Sequence, residues 1–455
     1  MITSLRSGRA ALTVVSLAFV AVVALGLGAL AERRGLFPFG LLGSGRVAPA
    51  TIEGSSDQPS YGRWERAPSP ASSAGDSLAG LGYAGGYEAP TEVSGVSHLD
   101  AARMAPGHTL LCSGHATCAQ LLAPDGTVAH TWQVPFEEAF GPRPAGAPRN
   151  EHHEFLRRAH VYENGDLLAL FEYGGLVRVD KESKRIWSRL NNCHHDFEVH
   201  ADGTILAVSQ RFLDVATLTQ RFPGIEAESS IADDELVWLA PDGTERARVS
   251  LFEALTNSPF SAFLVTRLGD LDLFHTNSVE ELLREDQCWS SEVAVGDVLV
   301  SVRNQNALFV VRPSARSVVW MATGEWNGQH QASILAGGNM LLLDNKGGNR
   351  AEPFREDRSR VIEWDPRTRG TVWSYGGVEG QPLFTHWLGY VERLPNGNTL
   401  ITESTRGRVL EVTSGGEIVW QYVSPNRSGE DSEFIATLMG AQRVSPNRLT
   451  FLSGH

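Results

Sequence analysis

Three histidines stand in matching places along this chain, each just ahead of a run that reads as a β-hairpin. His330 opens the stretch G-Q-H-Q-A-S-I-L-A-G-G-N-M-L-L-L-D-N-K-G-G at 328–348, and the runs His194-His195-Asp196-Phe197 and His275-Thr276-Asn277-Ser278 precede two further hairpins. An imidazole can serve near neutral pH as nucleophile, base or acid, and a hairpin's own stability asks for none at that place. One such histidine is more often a structural residue. Three of them, with Asp196 and Asn277 beside two, point to a site if the fold brings them together. His160 and His386 hold similar places with weaker claims. Asp196 has two readings, as the group that fixes the tautomer of a neighbouring imidazole or as a turn former.

The elements that would position these side chains repeat from about residue 96 onward. Half of each unit is a hairpin on a glycine turn, at Asn164-Gly165, Asp202-Gly203, Gly296-Asp297, Gly338-Asn339 and Asn396-Gly397, with apolar residues alternating on either side. The other half runs to a tryptophan in five copies, Trp132, Trp187, Trp320, Trp373 and Trp420, and to Val249 in a sixth. Six units of four short strands at a period of roughly 50–60 residues predict an all-β chain, a six-bladed β-propeller of four-stranded blades, rather than a sandwich. The tryptophans are expected to pack between blades. The tail at 439–454 is expected to pair with the first blade and close the ring. The longer connections at 210–234 and 251–272 are expected to be caps or lids. In such a ring the innermost strands line a central channel, and the three histidines meet at its mouth.

Composition narrows the partners. The 455 residues carry a formal net charge of -14, which excludes a nucleic-acid partner, since phosphate binding wants a basic face. Lysine occurs only at Lys181, Lys184 and Lys346, so arginine supplies the cations, and it is the better ligand for sulfate, phosphate or carboxylate. Arg6 and Arg9 precede an apolar run at 10–31 that is long enough to cross a bilayer. The chain is therefore divided into a cytoplasmic 1–9, a transmembrane signal anchor at 10–31, a Gly/Ser/Pro-rich linker at 32–97 and the propeller at 98–455. This organisation implies a single-pass protein of the cell inner membrane with its body on the periplasmic side; Ala29-Leu30-Ala31 is an alternative cleavage site. Four cysteines, Cys112, Cys118, Cys193 and Cys288, fit an exported protein with one or two disulfides, Cys112 with Cys118 and Cys193 with Cys288. A soft-metal site from Cys193, His194 and Cys288 is disfavoured, because the spacing matches no zinc pattern. No metal or cofactor is expected, and the oligomeric state is left open.

The order H-H-D-F (194–197), H-x-N-S-V (275–279), S-V-R-N-Q (301–305) and G-Q-H (328–330) followed by L-L-D-N to Asn345 resembles the bacterial arylsulfate sulfotransferases, over roughly residues 100–450. The resemblance implies a periplasmic six-bladed propeller that moves a sulfuryl group from an aryl sulfate to a phenolic acceptor without a nucleotide sulfate donor. It further implies a transiently sulfated histidine, matched by His330. Arg303 would bind the sulfuryl oxygens with Asn277, His194 would join Asn277 in binding substrate, and His275 and His195 would bind the group and move protons. The sequence departs from the family pattern in three places: Asn304 stands where a second histidine is expected, about ten extra residues separate His275 from Arg303, and the last blade offers Ser404, Thr405 and Arg406 in place of a lysine. A second class, a catalytically inactive propeller that binds a ligand or an envelope partner, is favoured by the missing lysine and opposed by the retained His, Asn and Arg set. A quinone-dependent dehydrogenase would need adjacent cysteines and an acidic calcium cluster, and the sequence has neither.

Overall fold

The structure, a computed structural model, describes residues 87–88, 93–142, 151–221, 230–265, 272–346, 358–428 and 432–453. The anchor expected at 10–31 and most of the expected linker lie outside these residues. Among the described residues no helix is long and apolar enough to cross a membrane.

The repeated hairpins build six antiparallel sheets in a ring. The second to fifth blades each take four strands in chain order, with the innermost strand first: Arg158–Val161, Cys193–Val199, Thr276–Glu281 and His330–Ile334 respectively. The sixth begins with Tyr390–Arg393 and gains a fifth, outer strand, Gly95–Leu99. The first blade joins His108–Ser113, Cys118–Leu122 and Val128–Gln133 to Leu438–Val444, which pairs in register from His108 with Val444 to Cys112 with Gly440. The expected closure by the tail is thus formed. The hairpin turns of the second, third, fifth and sixth blades follow one pattern, shown by Gly165. Its N–H donates to Tyr162 O at 3.0 Å while Tyr162 N–H donates to Asp166 O at 2.8 Å. Gly165 takes φ +89°, and a Cβ there would sit 2.8 Å from the Phe451 ring.

The second strands read as unbroken apolar runs because both of their faces are buried. In Val298–Val302, Val298, Val300 and Val302 pack toward the third blade, while Leu299 packs toward the fifth. In Met340–Asp344, Met340 and Leu342 face the fourth blade, and Leu341 and Leu343 face the sixth. The core is accordingly a set of inter-blade wedges. The tryptophans do sit between blades, and four of them also donate to the next blade's turn: Trp132 Nε1 to Gly165 O at 2.9 Å, Trp187 to Pro241 O at 3.0 Å, Trp373 to Ser414 O at 2.8 Å and Trp420 to Pro124 O at 2.9 Å. Trp320 instead packs its ring against Trp289 and Trp364.

An innermost strand leaves one edge of backbone N–H groups without a ladder partner. Side chains of the preceding blade accept them. Asp196 Oδ2 takes Val279 N–H at 3.1 Å, Glu198 takes Glu281 N–H at 2.9 Å, Glu280 takes Ile334 N–H at 2.8 Å and Glu392 takes Arg443 N–H at 3.0 Å. This explains why the channel wall is rich in buried carboxyl groups. Burial and the nearby Glu198 push Glu280 up to about 8, and burial pushes Glu392 up to about 7.

Two expectations are corrected, the disulfides and the lid at 251–272. All four cysteines are free thiols. Cys112 lies across from Ala119, so Cys118, one residue out of register, faces the other side of the sheet. Cys193 packs between the second and third blades and Cys288 against the wedge between the fourth and fifth, which also rules out a metal site shared by Cys193 and Cys288. The lid expected at 251–272 includes the helix Leu251–Thr256, whose Leu251, Phe252 and Leu255 are buried in the wedge between the third and fourth blades; residues 266–271 are outside the described set. Of 210–234, the two ends lengthen the second and third strands of the third blade, Ile205–Leu213 and Ile231–Leu239, the helix Val215–Arg221 follows the first of these, and 222–229 lie outside the described residues.

Candidate functional site

The first residues of the innermost strands do not run straight into their ladders. In the third, fourth and fifth blades the register shifts between Cys193 and Phe197, between Thr276 and Ser278, and between His330 and Ser333. At or beside each shift a residue other than glycine takes the left-handed conformation: His195 at φ 57°, His275 at φ 48° and Gln331 at φ 49°. A bulge of this kind re-aims side chains, and non-glycine residues hold it only where the surroundings impose it. Here it gathers the imidazoles. The His195 and His275 rings meet edge to face at 4.7 Å, and His195, Asn277 and His330 line one channel with Arg157, Arg158 and Tyr390. The channel is narrow: of about 440 Å³ of space between its atoms, counting its opening to solvent, about 20 Å³ admits the centre of a water-sized sphere. Leu110, Ala159 and Met439 form an apolar side of it.

Each of the three imidazoles has an acceptor on Nδ1. His330 Nδ1 lies 2.8 Å from Asn345 Oδ1 and 3.1 Å from Gly328 O. Asn345 Nδ2 donates to Thr385 O at 3.0 Å and Leu388 O at 2.8 Å, which fixes its oxygen toward the histidine. Two oxygen acceptors on one nitrogen place the proton there, so Nε2 of His330 carries a lone pair. Burial and the Arg303 charge hold the His330 imidazole well below its ordinary pKa, and Asn345 only partly offsets them. His275 Nδ1 lies 2.5 Å from Asp272 Oδ2. His195 Nδ1 lies 3.0 Å from Glu172 Oε1 and 2.7 Å from His194 Nδ1. Only one proton fits between two nitrogens at that distance. Glu172 is ionised, held well below the usual carboxylate range by His195 and Arg157 although burial opposes this, so the proton belongs to His195 and its Nε2 too is bare. Burial drives His195 down to about 3 while Glu172 pulls it up. His194 then accepts at Nδ1 and turns Nε2 toward Asp234 Oδ1 at 3.3 Å; burial opposes a charge on it, but Asp234 raises its proton affinity above the ordinary value.

The remaining expected residues are placed as follows. Arg303 is buried one residue beyond the fourth blade's second strand, with its guanidinium 4.9 Å from the Trp387 ring centre and Nη1 donating to Asn304 Oδ1 at 3.0 Å. Asn277 Nδ2 donates to Gln329 O at 2.7 Å, which leaves it one further N–H, and its Oδ1 is buried without a partner. Asn304 Nδ2 donates to Asp272 O at 2.6 Å, so it ties Arg303 to the His275 loop. The extra residues between His275 and Arg303 follow the inner strand's far end, where Trp289 buries against Trp320, away from the imidazoles. Arg406 is held by Pro382 O at 2.9 Å and lies 3.6 Å from Glu403. Asp196 has neither expected role: besides Val279 N–H it takes Arg158 Nε at 2.7 Å. His160 sits beside Arg448, and His386 beside Trp387.

Sequence reasoning missed Arg157, Arg158, Glu172, Asp272 and Tyr390. Arg157 Nε contacts Glu172 Oε2 at 2.8 Å, and Arg158 reaches Asp196, Tyr390 and Gln331 across the channel. A positional signal existed: Glu172, Arg303, Asn345 and Ser404 each come one residue after a second strand. Of groups that could hold a metal ion, Glu172, His194 and His195 bring ligand atoms within 4.8 Å of one another, and their mutual hydrogen bonds already use the facing nitrogens.

The sequence profile described as Arylsulfotransferase (ASST) matches residues 160–425, more than half of the chain. No curated protein matches. Among solved structures the chain is similar to a protein of unknown function from Bacteroides caccae, with 12% identity, 73% of this chain and 99% of that one covered, and a TM-score of 0.46. It is similar also to a streptogramin B lyase, with 10% identity, coverage of 79% and 97%, and a TM-score of 0.40. A third is a virginiamycin B lyase from Staphylococcus aureus, with 10% identity, coverage of 75% and 88%, and a TM-score of 0.38.

Proposed function

Because this chain belongs to the arylsulfotransferase family, we propose that it moves a sulfuryl group from an aryl sulfate to a phenolic acceptor through a covalent intermediate on His330. The carrying observation is the bare, buried Nε2 of His330, whose proton is parked on Nδ1 against Asn345 and Gly328. A neutral imidazole attacks the sulfur, the S–O bond to the departing phenolate breaks, and an S–N bond forms. A phenol oxygen then attacks the sulfur, and the S–N electron pair returns to Nε2. As in phosphoryl transfer, alignment and nearby cations supply most of the stabilisation. Arg303 and the remaining N–H of Asn277 are assigned to the sulfuryl oxygens, His194 to the support of His195, and His195 and His275 to substrate contact and proton movement. We place the propeller outside the cytoplasm, tethered by the apolar run at 10–31.

Brief exposure of the purified protein to excess 4-nitrophenyl sulfate tests this reading. The expected result is a burst of coloured phenol and an acid-labile sulfuryl mass on the peptide containing His330, both lost in His330→Ala. No burst and no adduct across a panel of aryl sulfates would overturn it in favour of a propeller that binds a ligand or partner without turnover.

A further inference from the structure

The three imidazoles share a tautomer but not a partner. His330 leans on a neutral amide, which stabilises an imidazolium far less than a carboxylate does, whereas His195 leans on the carboxylate of Glu172. A histidine that must attack is best kept from taking up a proton. One that must carry a proton needs a counter-charge at its other nitrogen. His195 lines the channel with His330, and His275, also on a carboxylate, stands behind it against its ring. Resting on the sulfuryl-transfer reading, we infer that Glu172 is the positioning residue that makes His195 the proton carrier of both half-reactions. In the acceptor half-reaction His195 Nε2 takes the phenol proton as the phenol oxygen bonds to sulfur and the S–N bond to His330 breaks. Glu172 then faces the imidazolium. In the donor half-reaction of the next turnover that proton passes from Nε2 to the departing phenolate oxygen as the S–O bond breaks, and His195 returns to its neutral form with Nε2 bare.

The competing account is that Glu172 only neutralises the buried Arg157, 2.8 Å away. Acceptor acidity separates the two. Wild type is first shown to give the burst and the His330 adduct; without them the sulfuryl-transfer reading itself fails, and this inference with it. With the adduct formed, transfer by Glu172→Gln is measured to a weakly acidic phenol and to a nitrophenol that ionises unaided. We expect about a 100-fold loss in kcat with the first, within the usual range for general base catalysis, and less than about threefold with the second, with KM little changed. Because Glu172→Gln strands the Arg157 charge, the double variant Glu172→Gln/Arg157→Gln is measured beside it. The expected result is a folded protein with the same acceptor-dependent defect. Equal losses with both acceptors, or full recovery in the double variant, would show that Glu172 serves only Arg157.

Discussion

The third to fifth blades and the second and sixth are built on the same four-strand frame, yet they meet the channel differently. The second and sixth lead into the ring by regular pairing, Arg158 with Leu170 and Tyr390 with Thr402. The third to fifth lead in through a bulge and a left-handed residue, and these are the blades that present imidazoles. The repeat supplies a rigid collar, and the candidate site rests on local departures from it. A site held on bulges is costly in backbone strain, on the order of 1–3 kcal/mol per residue. The regular ladders beyond each bulge absorb that strain.

The largest effect that would sharpen this contrast is expected at Arg303. Arg303→Lys keeps a charge but loses the planar fork and the ring contact with Trp387, and sulfuryl transfer should fall about 100-fold, as when a fixed donor to a developing anion is removed. Loss of the same size in Arg406→Lys, on the sixth blade, would break the contrast. Next comes a paired test of acid stability. His160 on the second blade and His195 on the third are both lowered to about 3, each mainly by burial. Their unfolded forms take up a proton near pH 6.5 and their folded forms do not, so stability is full above that pH and is lost as pH falls from about 6.5 toward 3, by about 1.4 kcal/mol per unit per site. His160→Gln and His195→Gln should each raise stability at pH 5, relative to that at pH 7, by on the order of 2 kcal/mol in urea titrations. Only His195→Gln should impair transfer. The smallest effect is expected for Gln331→Gly, which relieves a left-handed φ of 49°. Its unfolding free energy should exceed that of Gln331→Ala, which loses the same Arg158 contact but keeps the left-handed φ, by about 0.5–1 kcal/mol with the His330 adduct still formed, and equal stability of the two would mean that the bulge is not strained there.

The fold was legible because glycine turns and alternating apolar residues act over a few positions, and the ring multiplied that signal six times. The tryptophan register and the closing strand followed from the same periodicity. The clustering that makes the candidate site was legible where residue type and position coincided, at His195, His275, Asn277 and His330. It was not legible at Glu172, Asp272 or Arg157, because a lone carboxylate or arginine after a strand looks like any solvated charge until the ring folds it inward. The role of Asp196 could not be read either. Whether a carboxylate serves a histidine or the backbone of the next blade depends on which blade lies beside it. The cysteines misled because sequence proximity says nothing of which face a side chain takes: one residue of register sends Cys112 and Cys118 to opposite sides of one sheet.

The pairing of His108–Ser113 with Leu438–Val444 has a consequence in time. Met439, Gly440 and Gln442 on that closing strand form part of the channel wall, and Arg157 Nη1 donates to Met439 O at 3.1 Å. The first blade, whose own three strands are made early in synthesis, therefore waits for the closing strand before it is complete, and such long loops are slow to close. A nascent chain that already carries all three histidines still lacks one wall of the channel beside them, which is completed at a single late step.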